Sequence, residues 1–224
     1  MWNESLDEYC ERIGPGLWAE PLNLLSNVAF LIAALLAGFR AARALPVVPF
    51  HLRYLFAVTW LVGLGSAAYH SMAVRAAMIA DVLPIGLYAI SFLALYLRLV
   101  RQHSLPRIVC EFAAFATVTG LLVAIFPREQ TNGSSAYFGI AIYLLAFARE
   151  ALASARPTAA PMVRAASAFL LALMARAADM TLCPAWPLGT HFLWHLANAF
   201  VLWSLADALI AWNRAQPTTE VRSA

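Results

Sequence analysis

The sequence predicts an all-α protein, a seven-transmembrane helix bundle with its N-terminus outside and its C-terminus cytoplasmic. Three observations lead there. Of the 224 residues, 62% are hydrophobic and only 12% charged, against roughly 45–50% and 25% in an ordinary soluble domain. This apolar excess runs along nearly the whole chain, so it describes one membrane domain rather than a soluble fold with a single anchor. Clusters of Pro, Gly and Arg then divide the chain into seven segments, each near the ~20 residues that a span requires.

Residues 1–20 form an acidic extracytoplasmic N-terminal segment carrying Glu4, Asp7, Glu8, Glu11 and Glu20. They lack the basic start and adjoining apolar core of a cleavable signal peptide, so the first span is expected to direct insertion. The membrane domain, 21–213, has spans at 22–39, 54–72, 77–97, 106–126, 135–153, 162–180 and 190–212. Asn23, Ser26 and Asn27 enter the first as polar residues, and polar residues interrupt the second and sixth near their C-terminal ends. Arg40, Arg43 and Arg53 flank the first connection, Arg98, Arg101 and Arg107 the third, and Arg149, Arg156 and Arg164 the fifth. Those sides are cytoplasmic by the positive-inside rule. Residues 214–224 are expected to be a disordered cytoplasmic tail.

The 15 cationic residues are all Arg, and the net charge of +3 is scattered over short connections. That distribution argues against a nucleic-acid partner. An Arg-only set fits an Arg-biased, bacterial genome, which would put the protein in an inner membrane.

The topology brings four ionisable residues to one depth near the outer face. His70 ends the second span, Asp81 begins the third, and His191 and His195 fall in the first turns of the seventh. A spacing of four in HFLWH (191–195) projects both imidazoles from one helix face, where they can share a metal; a helix-to-helix or interfacial role is the simpler alternative. Ionisable groups within spans are costly and normally face a bundle interior or water cavity. Three neutral imidazoles leave tetrahedral zinc a fourth position for water, the pattern of a catalytic site. Ser66, four residues before His70, either shares its face or, with Gly63 and Gly65, permits close packing. Asp81, ahead of Pro84, reads on position alone as an N-cap for the third span, exposed to interfacial water. Arg176 and Asp179 end the sixth span at the same level, as an ion pair or a supporting network. Cys10 and Cys183 both fall outside, where a disulfide or two separate thiols are possible, and Cys110 lies near the inner end of the fourth span. Glu8, Glu11 and Glu20 could offer hard oxygen ligands to Ca²⁺ or form a solvated acidic end.

The motifs EYCE (8–11), EPLNLLSN (20–27), GSAAYH (65–70), DVLP (81–84) and HFLWH, in this order and spacing, resemble the alkaline ceramidase family. That family belongs to a wider group of seven-span hydrolases that includes the adiponectin and progestin receptors and GPI-anchor lipid remodelling proteins. The resemblance covers residues 8 to about 212. It implies zinc on His70, His191 and His195, with Ser66 and Asp81 catalytic beside it. It also implies a Cys10–Cys183 disulfide and calcium on Glu8, the Tyr9 carbonyl, Glu11 and Glu20. The chain departs from the pattern at Ile13, where the family usually offers another oxygen ligand, and Tyr9 replaces the aromatic of the family's Trp-Cys-Glu motif.

The activity so implied is zinc-dependent hydrolysis of a membrane lipid, ceramide or a related N-acyl lipid, to sphingoid base and fatty acid. Asp81 serves as general base and acid, Ser66 stabilises the oxyanion, and Trp194 shapes the pocket. The alternatives are a seven-span lipid receptor with structural zinc, a hydrolase of another lipid amide or ester, and a transporter using the buried ionisable groups as a relay.

Overall fold

The computed structural model describes residues 2–14 and 16–216. Among them are nine α-helices and no strand beyond an isolated bridge between Ser5 and Val74. Helix α1 (Pro21–Ser26) starts on a proline, whose fixed φ and missing N–H suit a first helical position. After Asn27 the chain continues as α2 (Val28–Ala44). Helix α3 (Phe50–Met72) follows the extended Pro49 and ends where Ala73 turns left-handed at φ 45°. Helix α4 (Arg75–Leu95) contains Pro84 and runs into a wider π-helical turn, Tyr96–Val100.

Helix α5 (Leu105–Ile125) is followed by the short α6 (Arg128–Thr131) and a 3₁₀ turn, Ser134–Tyr137. Then come α7 (Phe138–Ala153), α8 (Ala159–Leu182) and α9 (His191–Ala215). Because α9 reaches Ala215, the tail expected from residue 214 begins at least two residues later. Residues 217–224 of that tail lie outside the described residues.

Each expected span falls on one long helical stretch. Six of these, Pro21–Ala44, Arg75–Val100, Leu105–Ile125, Ser134–Ala153, Ala159–Leu182 and His191–Ala215, are long and apolar enough to cross a membrane. The expected seven therefore stands at six on length and apolarity. The helix that falls short is α3, which at 23 residues has the length but carries Arg53, Thr59, Ser66, His70 and Ser71. Of these, Ser66 and His70 belong to the site, and Arg53 lies at the opposite end of the helix.

The surface is that of a membrane protein. Leu83 and Ile90 on α4, Val109, Leu121 and Ile125 on α5, and Leu171 and Met174 on α8 all face outward. Soluble monomers do not expose apolar side chains so continuously. The helices pack in the order α4, α3, α2, α9, α8, α7, α5, with the π turn joining α4 to α5. A gap lies between α4, α7 and α9, lined by Ile85, Tyr88, Phe92, Phe147, Val201 and other apolar side chains.

At the end of the bundle opposite the histidines, Asp207 pairs with both Arg40 and Arg164, and Glu150 pairs with Arg101 at 3.0 Å and Arg156 at 2.9 Å.

Glycine sets the closest helix approach. A Cβ on Gly65 would lie 2.0 Å from the Ala80 carbonyl oxygen, so only glycine lets α3 touch α4 there. Gly63 does the same against Phe30 and the Asn27 carbonyl. The close-packing reading of these two glycines therefore holds. Gly65→Ala is expected to lower the unfolding free energy by about 1–3 kcal/mol, read as an earlier thermal melt in detergent. Gly86→Ala, where a Cβ meets nothing within 4 Å, should melt no earlier than the parent protein.

Candidate metal centre

Backbone bonds draw the N-terminal segment over the junction of α3 and α4. Leu6 N donates to the Ala73 carbonyl at 2.8 Å, and Arg75 N to the Glu4 carbonyl at 3.1 Å. The Cys10–Cys183 disulfide is formed, as the resemblance implies, and joins this segment to the residue after α8. Cys110 stays free and exposed. Asp179, almost fully buried, accepts backbone N–H bonds from Cys10 at 3.0 Å, Thr190 at 2.6 Å and His191 at 3.0 Å. Of the two roles open to it, it takes that of a supporting network. It fixes where α9 starts and hence where His191 points.

His70 from α3 and His191 and His195 from α9 converge, with one candidate ligand atom from each, all within 4.8 Å of one another. All three residues are buried. The remaining ring nitrogens show which face is reserved. Glu20 Oε2 lies 2.6 Å from His70 Nδ1, so the carboxylate accepts the Nδ1 proton and leaves Nε2 as a bare, buried acceptor with no partner. Ser26 Oγ lies 2.8 Å from His195 Nδ1 while its own hydroxyl donates to the Asn23 carbonyl at 3.0 Å. That order again frees Nε2. His191 Nδ1 also lacks a partner, and the ring is stacked on Tyr9 at 3.8 Å between centroids. Orphaned imidazole nitrogens are expensive unless something fills the space between them, and a carboxylate behind a ligand histidine is the usual outer support of zinc. The donor set fits that ion.

Asp81 is not among the three but stands beside them. The N-cap alternative fails, because α4 begins at Arg75 and places Asp81 well inside the helix. Its carboxyl interacts with the Ser66 hydroxyl, His70 and Arg176, and Oδ1 is buried without a partner. Ser66 Oγ lies 3.5 Å from His195 Nε2, on the face where the imidazoles meet. A polar cavity opens on Asp81, His191, Tyr9, Glu8 and Arg176, and it shares Ile85, Tyr137 and Trp194 with the apolar gap below. Trp194 is thus where the polar half meets the apolar half.

A family model described as Ceramidase matches residues 4–218. The chain belongs to the ceramidase family. No curated protein and no solved structure matches it. Membership makes this chain a hydrolase of lipid amides with a lipid substrate.

The residues that the resemblance gives to calcium each have protein partners in this chain. Glu11 accepts the backbone N–H groups of Leu22 at 2.6 Å and Asn23 at 2.8 Å, neutralising the N-terminus of α1. Burial pushes its carboxyl above the ordinary range, and those two bonds oppose the shift. Glu20 is taken by Arg12, Asn23 and His70. Burial alone would raise the Glu20 carboxyl, but the hydrogen bonds from His70 and Asn23 and the charge of Arg12 outweigh it and hold it low. Glu8 accepts from Tyr69 and pairs with Arg128, and the Tyr9 carbonyl accepts the Arg12 amide. Among the described residues, the three histidines are the only group of that kind close enough to share an ion.

Residue types alone could not reveal Glu20 and Ser26 as supports of the histidines, Tyr9 as a ring stacked on His191, or Arg176 in the cavity wall. Arg176 lies over the faces of Tyr9, Tyr137 and Trp194 and donates to Tyr9 Oη at 3.0 Å. Their common depth was the one available signal. Breaking the disulfide should cost about 2–5 kcal/mol. Reductant is therefore expected to lower the melting midpoint of the parent protein and leave that of Cys183→Ser unchanged.

Proposed function

We propose that this chain is a zinc-dependent amidohydrolase of ceramide-like lipids. The observation that carries the reading is the convergence of three imidazoles beside an unpartnered buried carboxylate, at the mouth of an apolar cavity. A zinc ion held by His70, His191 and His195 supplies Lewis-acid polarisation of the amide carbonyl and lowers the pKa of water.

The side chains do the rest. Asp81, with a free acceptor oxygen, takes a proton from the attacking water and delivers it to the leaving nitrogen as the C–N bond breaks. Ser66 donates its hydroxyl to the oxygen on which charge develops. One hydrocarbon chain of the lipid lies in the gap between α4, α7 and α9, while Trp194 and Tyr137 keep water from it. Glu20 and Ser26 hold two of the imidazoles in the tautomer that leaves Nε2 free.

We further propose that α3 is a seventh crossing. The support is that it lies within the ring between α2 and α4, both of which qualify as spans. With seven crossings, the Arg-rich connections fall on one side and the site on the other, which gives an outer site and a cytoplasmic C-terminus.

Purified protein incubated with a panel of ceramides, N-acyl amides and ester lipids tests the activity by mass spectrometry of the products. About one zinc per chain is expected by elemental analysis, and the reading is wrong if His191→Ala and His195→Ala keep full turnover. Asp81→Asn should retain zinc yet lose roughly 10²–10⁴-fold in rate; unchanged turnover would remove Asp81 from the mechanism. Ala89 lines the apolar gap, so Ala89→Trp is expected to slow hydrolysis of long-chain amides at least tenfold while sparing short-chain ones. Equal slowing of both would place the chain elsewhere.

A further inference from the structure

Arg12 is the one cation buried among the acidic residues of the N-terminal segment, and the function above gives it no role. Its side chain is 5% exposed and its partner Glu20 2%. Its hydrogen bonds run in three directions: Nε to Glu20 Oε1 at 2.5 Å, one terminal nitrogen to the Gly14 carbonyl at 3.2 Å, and the other to the His70 carbonyl at 3.1 Å. It therefore ties the N-terminal segment, the residue before α1 and the last turn of α3 together.

A planar fork with a permanent charge does this better than a flexible ammonium, and a cation at the C-terminal turn of α3 also meets the negative end of that helix. Glu20, so held by one oxygen, presents the other to His70 Nδ1.

Calcium takes six to eight oxygen ligands, and the groups that the resemblance gives to it at this end of the molecule are already engaged. Both Glu11 oxygens are bonded to the first N–H groups of α1, and Glu20 is committed to Arg12, Asn23 and His70. The Tyr9 carbonyl faces the Arg12 amide, and residue 13 is an isoleucine whose side chain projects into open space at 92% exposure.

We propose that the Arg12 guanidinium is a built-in cation that serves, in this chain, the charge role the family resemblance assigns to calcium. Through Glu20 it acts as a positioning residue for His70. The second half of this proposal rests on the reading of the histidines as a zinc site; the first half does not.

The test uses purified full-length protein in detergent. Equilibrium dialysis against radioactive calcium is expected to show no stoichiometric binding, and the melting midpoint should be the same in calcium and in EGTA. One bound calcium per chain, or a midpoint that rises with calcium, overturns the proposal. Arg12→Gln is expected to weaken zinc binding about 10–100-fold, the usual effect of losing an outer support, measured by competition with a chromophoric chelator. If Arg12→Gln cannot be recovered folded, Arg12→Lys carries the same measurement with a smaller expected fall. A folded variant with wild-type zinc affinity overturns the link to His70. Parent protein that binds no zinc at all would refute the proposed function instead, and the calcium measurement would still decide the role of Arg12.

Discussion

A buried carboxylate must be neutralised by a cation or by hydrogen-bond donors, because its desolvation is otherwise too costly to survive folding. Asp179 meets that constraint with three backbone N–H groups, and the rest of the site follows from which three they are. Two belong to the start of α9, where N–H groups have no intrahelical partner. The third belongs to Cys10, so the same side chain that starts α9 also anchors the N-terminal segment beside its disulfide. Gly189 is part of this arrangement: its φ of +65° is left-handed, and a Cβ there would lie 2.3 Å from Asp179 Oδ1. Nothing larger fits between the turn and the carboxylate.

From that anchor the polar groups form connected chains instead of isolated pairs. Arg12 leads through Glu20 to His70, Asn23 through Ser26 to His195, and Arg176 through Tyr9 to His191. The first two hold His70 and His195 at Nδ1, and in the third Tyr9 covers the face of the His191 ring. In a low-dielectric interior such networks are rigid when complete and costly when broken, which suits a site whose ligand atoms must be held ready for an ion. The same interior becomes apolar within a few residues, at Trp194 and Tyr137. A lipid amide matches that boundary, with its polar group on one side and its chains on the other.

Much of this was legible in the sequence, and the legible parts share a cause. Hydropathy located every long helix because a membrane segment must be apolar along its full length. It faltered only at α3, where polar residues at both ends, His51 and Arg53 at one and Ser66 and His70 toward the other, dilute that signal. The spacing of His191 and His195 needed nothing but helical geometry to put both rings on one face. The topology brings His70 to the same depth, and the family motifs supplied the Cys10–Cys183 pairing, which local spacing left open. On position alone Asp81 reads as a helix cap, because nothing in the sequence says that the Ser5–Val74 bridge and the Ala73 turn put the cap at Val74 and start α4 at Arg75.

The sequence by itself therefore determined the class of fold, the level at which the polar residues collect and the family, all of which depend on composition and on spacing along one helix. Only the tertiary structure decided the partners of Glu11, Glu20, Arg12 and Asp179. A carboxylate can satisfy its charge with a metal ion, a guanidinium or a helix N-terminus, and the three are indistinguishable in residue type. They differ only in what the packed chain brings within about 3 Å, and those contacts join residues far apart in sequence.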